Sequence, residues 1–208
     1  MLIVRELLCG SHHFNEVRRG VPRMSPALLS KRLRSLAKAG IVLRHDEGNR
    51  VRYELTPGGK ALGPVIMALG EWGVQWRSAL GEEDFDPTLL MWDVHRSLDF
   101  DAMPDGRVVL GFSFPDVEAV HRDWWIVAED GGVVDLCDFD PGYPVDVRVV
   151  GDLPTVVHVW RGDISWAGAM GSGGLTLEGP ADVRRALPHW LKLSPFASVP
   201  REATAAGR

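Results

Sequence analysis

Cysteine is close to absent. Cys9 and Cys137 are the only two in 208 residues, too few for a disulfide framework and suited to a reducing, cytoplasmic setting. No apolar run approaches the roughly 18 residues that a membrane span needs, and MLIVREL is charged too soon to serve as a secretory signal, so no membrane partner is expected. Metal-ligand patterns are also missing. Cys9, His12 and His13 lie close together, but adjacent histidines seldom chelate the same ion and no second ligand cluster follows. Asp99/Asp101 and Asp138/Asp140 lack calcium-loop spacing and a closing Glu, so they read as solvated turn residues. Gly171–Gly174 is not followed by the Lys-Ser/Thr of a phosphate loop. No Ser/His/Asp or Cys/His set has an interpretable context. The sequence therefore predicts no enzyme, with no catalytic residues, metal or cofactor.

What is present is globular. An apolar fraction of 45% with 25% charged residues is ordinary for a folded chain, and the length suits one large or two small domains. The net charge of −5, taken whole, argues against a nucleic-acid partner. Its distribution argues the other way. Residues 1–80 hold 13 basic and 6 acidic side chains, a balance of +7, while 81–208 hold 10 and 22, a balance of −12. Such asymmetry points to a polyanion-binding module joined to something else. Composition shifts at the same place: GEEDFDP (81–87) is a short acidic connector, and six of the eight tryptophans lie beyond it. The expected organisation is a first domain over 1–80, a linker over 81–87, a second domain over 88–199 and a disordered tail over 200–208.

In the first domain, Met1–Cys9 and His13–Arg19 read as short helices separated by Gly10 and Ser11. Ser25 followed by Pro26 is an N-cap with proline at the first helical position, opening a helix that runs to Gly40. Leu29, Leu33 and Leu36 share one side of that helix, and Ala27, Lys31, Arg34 and Lys38 the other. An apolar face thus packs inward while a cationic face is presented outward. Ile41–Asp46 and Arg50–Thr56 are strand-like around a Glu47-Gly48-Asn49 turn, with Val51, Tyr53 and Leu55 alternating against Arg50, Arg52 and Glu54. A helix-turn-helix followed by a basic hairpin is a winged helix, mainly α with a β-hairpin wing. Its helix can enter the major groove while the wing follows the backbone. Thr56-Pro57 repeats the cap-plus-proline device. In the helix it opens, Leu62, Val65, Leu69, Trp72 and Trp76 recur at 3, 4, 3 and 4, a narrow seam suited to a dimer contact.

The pieces Arg5-Glu6-Leu7, Phe14-Asn15-Glu16, Leu29-Ser30-Lys31-Arg32-Leu33, Gly40, Tyr53-Glu54-Leu55-Thr56 and Glu71-Trp72-Gly73, in order over Leu2–Trp76, resemble the HxlR-type winged-helix transcriptional regulators of bacteria. The resemblance implies a dimeric regulator that binds double-stranded operator DNA, with Ser25–Ala39 as recognition helix. The family's usual helix before the Met1 position has no counterpart here, so no thiol-sensing role transfers. The wing is short and lacks the family's proline. The DNA-binding candidates are Ser25, Pro26, Ala27, Ser30, Lys31, Arg32, Arg34 and Lys38 on the helix, with Arg44, Arg50 and Arg52 on phosphates. His13, where the family carries a basic residue, is expected at the DNA backbone.

The second domain reads as a helix over Glu83–Asp99, strands over Arg107–Pro115, Trp124–Glu129, Val133–Asp138 and Val145–Val150, helices over Asp152–Gly162 and Ser165–Met170, a strand over Leu175–Leu177 and a helix over Ala181–Leu191. Asp130-Gly131-Gly132 is a strong hairpin turn. This is an α+β order with a mainly antiparallel sheet. With Gly162-Asp163, the Gly171–Gly174 loop and Gly179, it resembles the sterol carrier protein-like fold, which implies a pocket for an apolar small-molecule effector between sheet and helices. Aromatic residues line most such pockets, and the candidates are Phe112, Phe114, Trp124, Trp160, Trp166 and Met170. The expected function is effector-modulated operator binding. The rival is a lipid or small-molecule carrier whose winged helix serves only dimerisation.

Overall fold

In a computed structural model, which describes residues 1–77 and 80–202, the chain forms two units. These are Met1–Ser78 with Pro200–Arg208, and Ala79–Val199. The first unit begins with α1 (Leu2–Leu8), α2 (Phe14–Gly20) and α3 (Pro26–Lys38), followed by β1 (Val42–Glu47) and β2 (Arg50–Leu55). The strands pair antiparallel, Val42 opposite Leu55 and Glu47 opposite Arg50. Ile3, Val4, Leu7, Val17, Val21, Leu29, Leu33, Val42 and Leu55 close one core. Ser25 caps α3 by accepting from the Leu28 N–H at 3.3 Å, which satisfies one of the donors that a helix start leaves open.

The helix expected from Thr56 is two helices, α4 (Pro57–Lys60) and α5 (Gly63–Trp76). Thr56 Oγ1 caps the first by accepting from Gly59 N–H at 3.0 Å. Pro64 has no N–H to donate to the preceding turn, so it is tolerated only where a helix begins. It therefore sits in the first turn of α5 and breaks the run.

The second unit contains α6 (Pro87–His95), β3 (Val108–Ser113), α7 (Ala119–Arg122), β4 (Asp123–Glu129), β5 (Val133–Cys137), β6 (Val147–Gly151), α8 (Leu153–Trp160), α9 (Trp166–Gly171), β7 (Leu175–Glu178) and α10 (Ala181–Trp190). The strands form one sheet in the order β5-β4-β3-β6-β7. Pairing is antiparallel except between β3 and β6, so the α+β class with a mainly antiparallel sheet holds. Gly131 and Gly132 turn β4 into β5, both at φ +81°, a conformation that hairpin turns require and only glycine adopts freely.

Residues of α6, α8, α9 and α10 cover one sheet face, closing a core with Leu110, Phe112, Ile126, Val147 and Val149. On the other face Val109 and Val127 are also buried. Asp146 closes on Val109 there, accepting from its N–H at 2.8 Å and donating its own N–H to the Val109 carbonyl at 3.0 Å.

Two expected boundaries move. The acidic stretch 81–87 is no free linker. Leu80 and Phe85 pack on the second core, Glu82–Asp84 is a 3-10 turn, and Asp86 caps α6 by accepting from Leu89 N–H at 3.1 Å. The helix expected over Glu83–Asp99 is therefore shortened to Pro87–His95, because Pro87 must occupy its first turn. Of the expected tail, Glu202 donates its N–H to the Gln75 carbonyl at 3.0 Å, and 203–208 lie outside the described residues.

Candidate nucleic-acid interface

α3 divides as its sequence pattern requires. Leu29 and Leu33 are fully buried, while Pro26, Ala27, Lys31, Arg32, Arg34 and Lys38 are exposed, as is Ser25 at the cap; Ser30 is half-buried. Four cations thus share a helix whose opposite side is anchored in the core. Leu28, which sequence reasoning did not single out, is also exposed and offers an apolar contact of the kind that meets a thymine methyl. Arg18, Arg19 and Arg23 were likewise missed. They are exposed on α2 and in the turn before Ser25, and the signal was there in the charge count but not in any periodic pattern.

The wing differs from expectation. Arg50 is exposed at the hairpin tip. Arg44, in contrast, is bonded to Asp46, which raises its guanidinium pKa and holds it firmly charged. Arg52 is half-buried and lies 2.9 Å from Glu54, with its Nε sealed and without a hydrogen-bond partner. Cross-strand and same-face neighbours on a two-stranded ribbon lie within side-chain reach, so the acidic residues of the wing take up part of its positive charge.

His13 is half-buried. Its ring Nδ1 lies 3.1 Å from the Val51 carbonyl, and its backbone forms an antiparallel bridge with Arg52. Beside it the Tyr53 N–H donates to the His12 carbonyl at 2.8 Å. Glu16 accepts from the N–H groups of His12 at 2.6 Å and His13 at 2.9 Å. The segment between α1 and α2 thus acts as a third strand for the wing.

On α5, Val65, Leu69, Trp72 and Trp76 are exposed, the two tryptophans by 59% and 57%. Leu62 departs from this seam, because it packs on the core of its own unit with Ile66. A row of four large apolar side chains open to water is more than single scattered residues account for.

The HxlR-like helix-turn-helix family profile matches residues 1–80. The uncharacterised HTH-type transcriptional regulator YvaP of Bacillus subtilis (strain 168) is 38% identical over 78 residues, covering 36% of this chain and 72% of that protein. The chain belongs to the HxlR-like helix-turn-helix family. A second family relative, the uncharacterised HTH-type transcriptional regulator YybR of the same organism, is 34% identical over 82 residues, covering 38% of this chain and 66% of its own length. The family match thus ends where the second unit begins.

Solved structures resemble the chain more distantly. A sec-alkylsulfatase, Pisa1 from Pseudomonas sp., has a TM-score of 0.41 at 18% identity, covering 53% of this chain and 17% of the enzyme. The sterol carrier protein domain 2 of Helicoverpa armigera has a TM-score of 0.39 at 16% identity, covering 53% of this chain and 90% of that domain. At such scores the second unit is described by its own topology.

In that unit the six aromatic and methionine candidates do not converge. Phe112, Phe114 and Trp124 are buried core residues, and the Trp124 indole donates to the His121 carbonyl at 2.8 Å. Met170 is exposed. Phe112, Trp160 and Trp166 do share a cleft of about 20 Å³ with Val94, Val156, Val159, Leu191, Lys192 and Leu193. A larger, open cleft of about 340 Å³ lies elsewhere, lined by Phe100, Met103, Asp105 and the Glu129–Gly132 turn. Alternation along a strand identifies which side chains face inward but not which of them border a cavity. Among the described residues no cluster of three or more His, Cys, Asp or Glu could hold a metal ion, and no helix is long and apolar enough to cross a membrane.

Proposed function

We propose that the chain is a DNA-binding transcriptional regulator that acts as a homodimer and is modulated by an apolar small molecule bound in its second unit. The observation that carries the reading is the split of α3, with Leu29 and Leu33 buried beneath it and Lys31, Arg32, Arg34 and Lys38 exposed. A helix so anchored presents its N-terminal residues, Ser25, Pro26, Ala27 and Ser30, with Lys31 and Arg34, to base edges in the major groove. Lys38 and Arg50 meet flanking phosphates, with Arg44 and Arg52 contributing less because of their carboxylate partners. Phosphate contacts position the unit, and base contacts specify the site.

Two half-sites one helical turn apart need two recognition helices about 34–36 Å apart. The exposed seam Val65, Leu69, Trp72 and Trp76 supplies an apolar surface on which a second copy would be held. An effector would act only by binding the DNA-competent and incompetent dimers unequally. The reading assigns no catalytic step and places the protein in the cytoplasm.

Fluorescence anisotropy with the chain's own promoter fragment tests this reading. The wild-type dimer binds at moderate salt, and the Lys31→Ala, Arg34→Ala double variant binds at least tenfold more weakly. Equal affinity of the two proteins would overturn the assignment of α3.

A further inference from the structure

The side chains of α3 cover a narrow range of chemistry. Pro26–Lys38 reads PALLSKRLRSLAK, which contains no Asn, Gln, Asp or Glu. In the major groove, Asn or Gln bonds adenine at two atoms and Asp or Glu accepts from cytosine, whereas Arg or Lys donates to guanine and an apolar group meets the thymine methyl. The first two kinds of reader are missing from this helix, and the last two make up its exposed side. At 100° per residue, Ala27, Leu28 and Lys31 fall within about 100° of arc, on the side away from the buried Leu29 and Leu33. Leu28 stands 40% exposed in the first turn, among the N-terminal residues that a recognition helix brings to the bases. Hydroxyls add little discrimination. Ser35 Oγ donates to the Lys31 carbonyl at 3.0 Å, and Ser25 Oγ accepts from the Leu28 N–H at 3.3 Å. Ser30 is half-buried, and a serine bonds either kind of base edge.

We propose that α3 reads its half-site through thymine and guanine edges, Ala27 and Leu28 packing on thymine methyl groups and Lys31 and Arg34 donating to guanine O6 and N7. The inference rests on the reading of α3 as the recognition helix and names the bases that it takes. An A·T pair is then read from its thymine side and a G·C pair from its guanine side. The complementary edges suit the helix poorly. Cytosine presents an N4 donor, and adenine an N6 donor beside its N7 acceptor. Ammonium and guanidinium groups are donors only, so Lys31 and Arg34 have no match for either donor. Leu28 is the specificity-determining residue for A·T pairs, because its side chain is large enough to cover a methyl group and is otherwise left in water beside cations.

Fluorescence anisotropy of the full chain on its own promoter fragment, with excess unrelated competitor DNA, tests the base assignment. The fragment is prepared unmodified, with deoxyuridine for thymidine, with 7-deazaguanine for guanine, and with 7-deazaadenine for adenine. Loss of the thymine methyls should weaken wild-type binding about fourfold if one is covered, and about fifteenfold if one is covered in each of two half-sites. Leu28→Ala changes an exposed side chain and keeps the fold. It should weaken binding to the unmodified fragment and distinguish thymine from uracil by less than about twofold, one covered methyl being worth about fourfold. The 7-deazaguanine fragment should cost the wild type about fivefold or more, the lower end of discrimination by a bidentate contact, and cost the Lys31→Ala, Arg34→Ala variant much less. The 7-deazaadenine fragment should bind the wild type like the unmodified one. Uracil that costs the wild type nothing, or costs Leu28→Ala as much as the wild type, overturns the thymine assignment. An equal cost from 7-deazaadenine and 7-deazaguanine overturns the guanine assignment. Absence of specific binding to the unmodified fragment overturns the proposed function itself, and the base assignment with it.

Discussion

The carboxylate of Glu6 lies so close to the backbone of Gly20 that a Cβ on Gly20 would stand 1.9 Å from Oε2. Glu6 is completely buried and meets Arg5, whose Nε donates to Oε1 at 2.9 Å and whose Nη2 also reaches the Gly20 carbonyl at 3.2 Å. The pair ties α1 to the end of α2, and so sets the floor from which the turn to α3 departs. A buried charge is tolerated when it is paired and hydrogen-bonded.

Gly20→Ala is therefore expected to destabilise the first unit by about 1–3 kcal/mol, the range for overpacking a tight site. Because the clash is with Glu6, the Glu6→Ala, Gly20→Ala double variant should lose less than the sum of the two single losses. Amide exchange at Val17 and Leu33, both in that core, reads this unit apart from the other. Strict additivity would show that the two residues do not interact.

For DNA binding, the wing arginines should separate. Arg50→Ala removes an exposed cation and should lower the slope of log affinity against log salt by about 0.9, the effect of one phosphate contact. Arg44→Ala should change the slope less, because Asp46 already engages that guanidinium. Salt titrations of promoter binding check both, and an equal slope change in the two variants would contradict the ordering.

Association should depend on α5. Trp72→Glu places a charge in the exposed seam without touching the core, since Trp72 is 59% exposed. The variant is expected to keep wild-type helicity, to sediment as a monomer at micromolar concentration, and to bind promoter DNA at least tenfold more weakly. A dimer that persists would remove this seam as the contact.

Phe114 should behave as core and not as pocket. It is fully buried and does not border the cleft that holds Trp160 and Trp166. Phe114→Ala is expected to cost about 3–5 kcal/mol, as large-to-small core substitutions do. Urea unfolding followed by circular dichroism measures it, and a loss under about 1 kcal/mol would contradict the core assignment.

Most of the local structure was legible in the sequence. Ser25-Pro26 and Asp152 mark helix starts that the structure realises through Leu28 N–H and Thr155 N–H. The turn at Asp130-Gly131-Gly132 joins the strands it was expected to join. Capping, proline geometry and alternation act over a few residues, so they can be read from a few residues. Where proline was overlooked, at Pro64 and Pro87, the expected helices ran too long.

The candidate interface was legible for the same reason on α3, where one period separates Leu29 and Leu33 from Lys31 and Arg34. It was less so on the wing. Arg44 and Arg52 each meet a carboxylate two residues further along the same strand, Asp46 and Glu54, a spacing present in the sequence itself, whereas His13 holds the Val51 carbonyl across 38 positions of chain.

The sequence by itself determined the two-part charge division, the winged helix and the helix-strand order of the second unit, because periodicity, capping and turn chemistry are properties of neighbouring residues. Only the tertiary structure decided that His13 holds the Val51 carbonyl, that Glu6 is buried against Gly20, and that Trp160 and Trp166 share a cleft. Each of these brings together side chains whose burial and partners are set by packing between elements, which no local pattern records.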